Sequence, residues 1–86
     1  VVVTIPAVAT GNTFKIVNGG DDGAQLISVS PNSVDKIKGP DYAGTDNKDW
    51  QNTKATARAG DYIVIQYESA DGFIVVEKVG TWAQEA

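Results

Sequence analysis

Glu68, Asp71 and Glu77 lie close together near the C-terminus, and two carboxylates held at a fixed separation are what a glycosidase needs. Glu68 and Asp71, however, fall in a polar turn between two apolar runs, where such residues are expected without any catalytic reason. A second acidic stretch, Asp46-Asn47-Lys48-Asp49, resembles a calcium loop, which requires oxygen ligands at alternate positions and a distal acid. Lys48 and Trp50 take two of those alternate positions. Gly19-Gly20 leads into Asp21 and Asp22, whose charges would repel a phosphate rather than cradle it. The chain has no histidine and no cysteine, which removes the common catalytic triads, the usual zinc sites and all thiolate chemistry. No catalytic residue, metal ligand or cofactor is therefore assigned, and an enzyme is not expected.

The aromatic residues offer a different kind of chemistry. Trp50 lies in a long polar stretch with Tyr42 nearby in sequence, and Trp82 stands near the C-terminus. Three roles are open to them: plugging the end of a small β core, anchoring a subunit or partner interface, or stacking on a sugar ring.

The elements that must position these groups are strands. Ala59-Gly60-Asp61 introduces Tyr62-Ile63-Val64-Ile65-Gln66-Tyr67, and Asp71-Gly72 introduces Phe73-Ile74-Val75-Val76-Glu77-Lys78-Val79, the pattern of an antiparallel hairpin. Tyr62, Val64 and Gln66 share one face and Ile63, Ile65 and Tyr67 the other. Across the hairpin, Phe73, Val75 and Val79 point one way, and Ile74 and Val76 the other. Both faces are apolar, whereas a strand with one solvated face alternates. So short a chain has few segments to cover both, so the cover is expected from another copy.

Earlier strands are expected at Val1–Ile5, stopped by Pro6, at Thr13–Asn18, at Gln25–Ser30 and at Val34–Ile37. A long polar loop is expected from Pro40 to Asn52, followed by a half-exposed strand over Lys54–Arg58 and a polar tail after Trp82. Nine glycines and three prolines punctuate the chain, and no apolar spacing suits a helix. The expected fold is all-β: a small antiparallel sandwich or barrel-like domain of six to seven short strands, with residues 1–86 forming one domain.

At 86 residues the chain is short for a self-sufficient core, and without disulfides association is the remaining staple. The formal net charge is -4 with a pI near 4.4, and the seven basic residues form no cluster, so nucleic acid is not an expected partner. No apolar run reaches the roughly 18–20 residues of a membrane span, and Val1-Val2-Val3 lacks the flanks of a signal peptide. The chain opens without methionine, which implies processing or a longer parent.

Several segments together resemble small structural proteins of tailed bacteriophages. They are Val3-Thr4-Ile5-Pro6, Gly11-Asn12-Thr13-Phe14-Lys15-Ile16-Val17-Asn18 and Pro31 with Asp35-Lys36-Ile37-Lys38-Gly39. They continue with Ala59-Gly60-Asp61, Asp71-Gly72 and Val79-Gly80-Thr81-Trp82. The family pattern usually has tryptophan after Asp-Gly, where this chain has Phe73. The resemblance implies a non-enzymatic homotrimer of β-rich subunits, either a capsid decoration (cement) protein on the capsid surface or a domain of a tail fibre or tailspike. The implied partner is the phage major capsid protein in the first case, and other fibre segments or a host surface receptor in the second. A short chain ending soon after Trp82 favours decoration. Val1, Val2, Val3, Tyr42 and Trp50 are the candidate partner contacts, and Tyr62, Val64, Phe73, Val75 and Trp82 the candidate trimer or core packing.

Overall fold

A computed structural model describes residues 1–7, 12–23, 26–39 and 44–85. It is all-β, with two four-stranded sheets. The strands are β1 (Val2–Thr4), β2 (Thr13–Val17), β3 (Ile27–Ser30), β4 (Lys36–Lys38), β5 (Trp50–Asn52), β6 (Tyr62–Ser69), β7 (Gly72–Val79) and β8 (Trp82–Gln84). One sheet has the order β1-β3-β5-β8 and the other β2-β6-β7-β4. The chain thus changes sheet at every connection except the β6–β7 hairpin. Neighbours within a sheet come from distant sequence, and two pairs, β1–β3 and β4–β7, are parallel. The sheets are mixed rather than antiparallel throughout, as expected from hairpins alone.

β6 and β7 form where β-branched and aromatic residues run unbroken on both sides of the Ser69–Gly72 turn. Gly72 has φ +148°, and a Cβ there would strike the backbone of Lys36, so glycine is what lets β4 pair alongside β7. β1 ends at Thr4, two residues before Pro6, and the Ile5 N–H still donates to the Ser30 carbonyl at 2.8 Å.

The inner faces meet in one core. Ile16, Ile37, Ile63, Ile65, Phe73 and Val75 come from one sheet, and Ile27, Val29, Trp50 and Trp82 from the other. Phe14 packs edge-on against Phe73 with ring centroids 5.9 Å apart. Trp50 is fully buried, and its indole N–H donates to the Ile37 carbonyl of the facing sheet at 2.9 Å. A Cβ on Gly39 would collide with that indole, so the Lys38-Gly39 end of β4 is shaped around Trp50. Truncating such a side chain to alanine removes about 3–5 kcal/mol, a large share of a small domain's stability.

Four local expectations are corrected. The segment read as a loop to Asn52 ends in β5, an interior strand, because Trp50 and Asn52 both point into the core. Lys54–Arg58 contains a 3₁₀ turn at Lys54–Thr56 instead of a strand: the Thr56 N–H and hydroxyl both donate to the Thr53 carbonyl, replacing a ladder with local bonds. The tail after Trp82 contains β8, which pairs with β5. Val79 lies on the face of Tyr62, opposite to the side expected. A bulge leaves Val76 unpaired between Val75↔Ile65 and Glu77↔Val64, and one inserted residue reverses every side chain beyond it.

Candidate functional site

The interior polar groups come first, because a buried polar cluster is either a site or a clasp. Asn18 at the end of β2, Asn52 on β5 and Asp61 before β6 are all buried. Asn18 Nδ2 donates to Asn52 Oδ1 at 2.7 Å, and Asn52 Nδ2 donates to Asp61 Oδ2 at 3.2 Å and to the Thr81 carbonyl at 3.0 Å. The Arg58 N–H donates to Asp61 Oδ2 and the Gly20 N–H to Asn18 Oδ1, both at 2.9 Å. Asn18 Oδ1, Asn52 Oδ1, Asp61 Oδ2 and the Thr81 carbonyl each accept from a protein donor. The set is a clasp that ties one end of the two sheets together.

The outer face of β1-β3-β5-β8 is finished in a similar way. Ser28, Gln51 and Ala83 share one cross-strand row with Val2. The Ser28 hydroxyl donates to Asp49 Oδ2 at 2.8 Å, and Gln51 Nε2 donates to Ser28 Oγ at 3.2 Å. The Asp49 N–H donates to Glu85 Oε2, and the Glu85 N–H to the Asp49 carbonyl, each at 2.8 Å. Asp49 is thus committed to a surface network, while Asp46 is exposed on a turn.

The outer face of β2-β6-β7-β4 differs. Its rows are Val17–Tyr62–Val79, then Lys15–Val64–Glu77, then Thr13–Gln66–Ile74–Lys38. Val17 is 50% exposed, Val79 45%, and Val76 at the bulge 51%, with Tyr62, Val64 and Ile74 half-buried beside them. The charges stand around this apolar strip. Lys15 Nζ lies 4.4 Å from the centre of the Tyr62 ring, and the Tyr62 hydroxyl donates to Glu77. The Glu77 carboxylate accepting that hydrogen bond holds the phenol pKa above its ordinary value, helped by desolvation and by the nearby negative charge. On the far flank Lys38 Nζ meets Glu68 Oε1 at 3.1 Å, and bonds from Ser69 and Lys38 lower the Glu68 pKa. Glu68 and Glu77 therefore answer to different partners, Lys38 and Tyr62.

The expected contact residues separate. Val1 and Val2 are 67% and 65% exposed, with Val3 partly buried against the core. Tyr42 lies outside the described residues. Trp50 is corrected: it is sealed between the sheets and offers no surface to a partner. Phe73, Val75 and Trp82 belong to the interior of the subunit itself, while Tyr62 and Val64 stand on the outer face. The expectation that another copy must cover both faces of the hairpin is corrected in half, since β1-β3-β5-β8 covers the inner one. Lys15, Val17 and Glu77 were missed as surface residues. For Lys15 and Val17 the available signal was strand parity, opposite to Phe14 and Ile16; Glu77 lies beyond the bulge, where parity with Phe73 and Val75 points the wrong way.

Comparisons with protein-family models, with curated proteins and with solved structures return no match.

Proposed function

We propose that this chain is a non-enzymatic structural protein of a tailed-phage virion, a trimeric capsid decoration protein that works by binding alone. The observation that carries the binding reading is the contrast between the two outer faces: on one, hydrogen bonds close β3 and β5 and leave an exposed valine, Val2, at the β1 edge, while the other exposes Val17, Val76 and Val79 with charges around them. Exposed apolar strips of this kind mark association surfaces. The virion assignment comes from the sequence resemblance, whose pieces include Phe14, Ile16, Asn18, Asp35, Ile37 and Asp61, every one packed in or beside the core. Threefold repetition raises retention on a shell by multivalency without demanding tight single contacts.

β1 is an edge strand, so Val1–Val3 is already committed to its own sheet rather than free to be donated. Val1, Val3 and Ile5 turn their backbone toward β3, as the bonds of Val1 and Ile5 show, leaving Val2 and Thr4 with outward N–H and C=O groups. That open edge is the proposed contact with the major capsid protein, by strand addition.

Mixing the protein with expanded empty capsids and measuring bound copies per shell tests the reading. Saturation at a multiple of three supports it, and no binding overturns it. One observation favours a second reading, a tail fibre or tailspike domain. β1 and β8 sit at opposite edges and run in the same direction, so Val1 and Glu85 lie at opposite ends of the sheet. Such a domain can be threaded in series along a shaft. Protection of host cells from phage adsorption by the isolated protein would favour that reading.

A further inference from the structure

We infer that the outer face of β2-β6-β7-β4 docks against further copies of this chain, with Lys15 of one copy meeting Glu77 of the next. The inference deepens the trimer proposed above and rests on that reading for the number of copies. It rests on register for everything else. Lys15, Val64 and Glu77 form one cross-strand row, so the cation on β2 and the carboxylate on β7 stand at the same height on opposite flanks of β6. Val17 and Val79 do the same in the adjacent row, flanking Tyr62.

Rotation about an axis parallel to the strands preserves height. It therefore brings the β2 flank of one copy to the β7 flank of its neighbour, with Lys15 against Glu77 and Val17 against Val79. Val64, at the centre of its row, then faces the axis. A twofold axis lying across the strands would instead set Lys15 on Lys15, a like-charge contact that disfavours that arrangement. The occupant follows from this complementarity. A partner of uniform charge would leave either Lys15 or Glu77 opposed, whereas a copy of the same chain satisfies both.

Tyr62 prepares the contact. Its ring holds Lys15 and its hydroxyl holds Glu77, so both charges are already ordered in the free subunit. Less side-chain freedom is then lost on docking.

The test is the mass by light scattering of the parent, Lys15→Glu, Glu77→Lys and the double exchange, with circular dichroism confirming that each is folded. The parent should weigh three chains at micromolar concentration. Each single variant should weaken association by at least about tenfold, and the double exchange should recover it. A parent trimer that neither single variant disturbs overturns the face while sparing the trimer. A parent dimer that responds to both keeps the face and overturns the number three. A parent monomer overturns both, and failure to bind shells by an intact, charge-sensitive trimer overturns only the capsid reading. Mixing the two single variants sharpens the count. Each carries one sign on both flanks, so a pair closes with two opposite-charge contacts, while a ring of three always keeps one like-charge contact.

Discussion

The two outer faces of the sandwich are built from strands of the same kind and end in opposite states. On β1-β3-β5-β8, Ser28, Gln51, Asp49 and Glu85 bond to one another, and Ser28 is buried beneath them. On β2-β6-β7-β4, Val17, Val76 and Val79 stay about half exposed, and the polar groups bond around them rather than over them. A sheet face whose donors and acceptors are satisfied gains little by meeting another surface, because each bond broken must be replaced. A face of exposed valines gains by losing water, at roughly 25 cal/mol for each Å² covered. The proposal of association on the second face rests on this difference.

Aspartate substitutions break this comparison most strongly. Val75 and Val64 lie near one another on the hairpin but face opposite sides. Val75→Asp places a charge in the core with no partner, which costs several kcal/mol and should abolish the cooperative thermal transition. Val64→Asp leaves its charge at the surface and should keep the monomer folded while weakening association. Equal thermal damage from the two variants would sink the claim that the outer face is a surface of the folded subunit.

The next effect separates bonds that water can replace from bonds that it cannot. Asn52→Ala takes the acceptor from the buried Asn18 amide, at about 1–3 kcal/mol for a buried orphan group, and removes one of the two donors to Asp61 Oδ2. Ser28→Ala removes a hydroxyl whose partners, Asp49 and Gln51, are only partly buried, and should cost about 1 kcal/mol. Urea midpoints of the two variants measure the contrast. A larger loss from Ser28→Ala would show that the outer network, and not the clasp, ties the sheets.

The legible parts of the fold were those carried by local pattern. The alternation in Thr13-Phe14-Lys15-Ile16-Val17 and the unbroken runs flanking Asp71-Gly72 gave β2, β6 and β7. β5 was hidden because Trp50-Gln51-Asn52 is only three residues long and inward-pointing Asn52 is polar, its place in the core depending on Asn18 and Asp61 from distant sequence. The parallel pairs were hidden for a related reason, since alternation between sheets leaves no local sign of which strands become neighbours. At the candidate surface, Tyr62 and Val64 could be found by parity. Val79 could not, because a bulge is a matter of register rather than of residue type. Trp50 shows the limit of composition: an aromatic in a polar stretch reads equally well as anchor or plug, and only the Ile37 carbonyl opposite its N–H decides.

The smallest effect is a titration. The Tyr62 phenol is held neutral to a higher pH than the ordinary value of 10.0, first by its hydrogen bond to Glu77. A raised phenol pKa means that the folded state favours the protonated form. Its contribution is therefore complete below pH 10 and is lost as the pH rises through the folded-state value. Glu77→Gln should return the Tyr62 titration toward 10, and Tyr62→Phe should remove that component from the phenolate absorbance altogether. The comparison of faces adds a concentration dependence. If a copy packs on this surface, the phenol loses water while the neighbour's Lys15 competes for Glu77, so the Tyr62 titration changes as protein concentration increases. A Tyr62 titration that is identical in dilute and concentrated samples, across a range where the measured mass changes, would place the contact on another face.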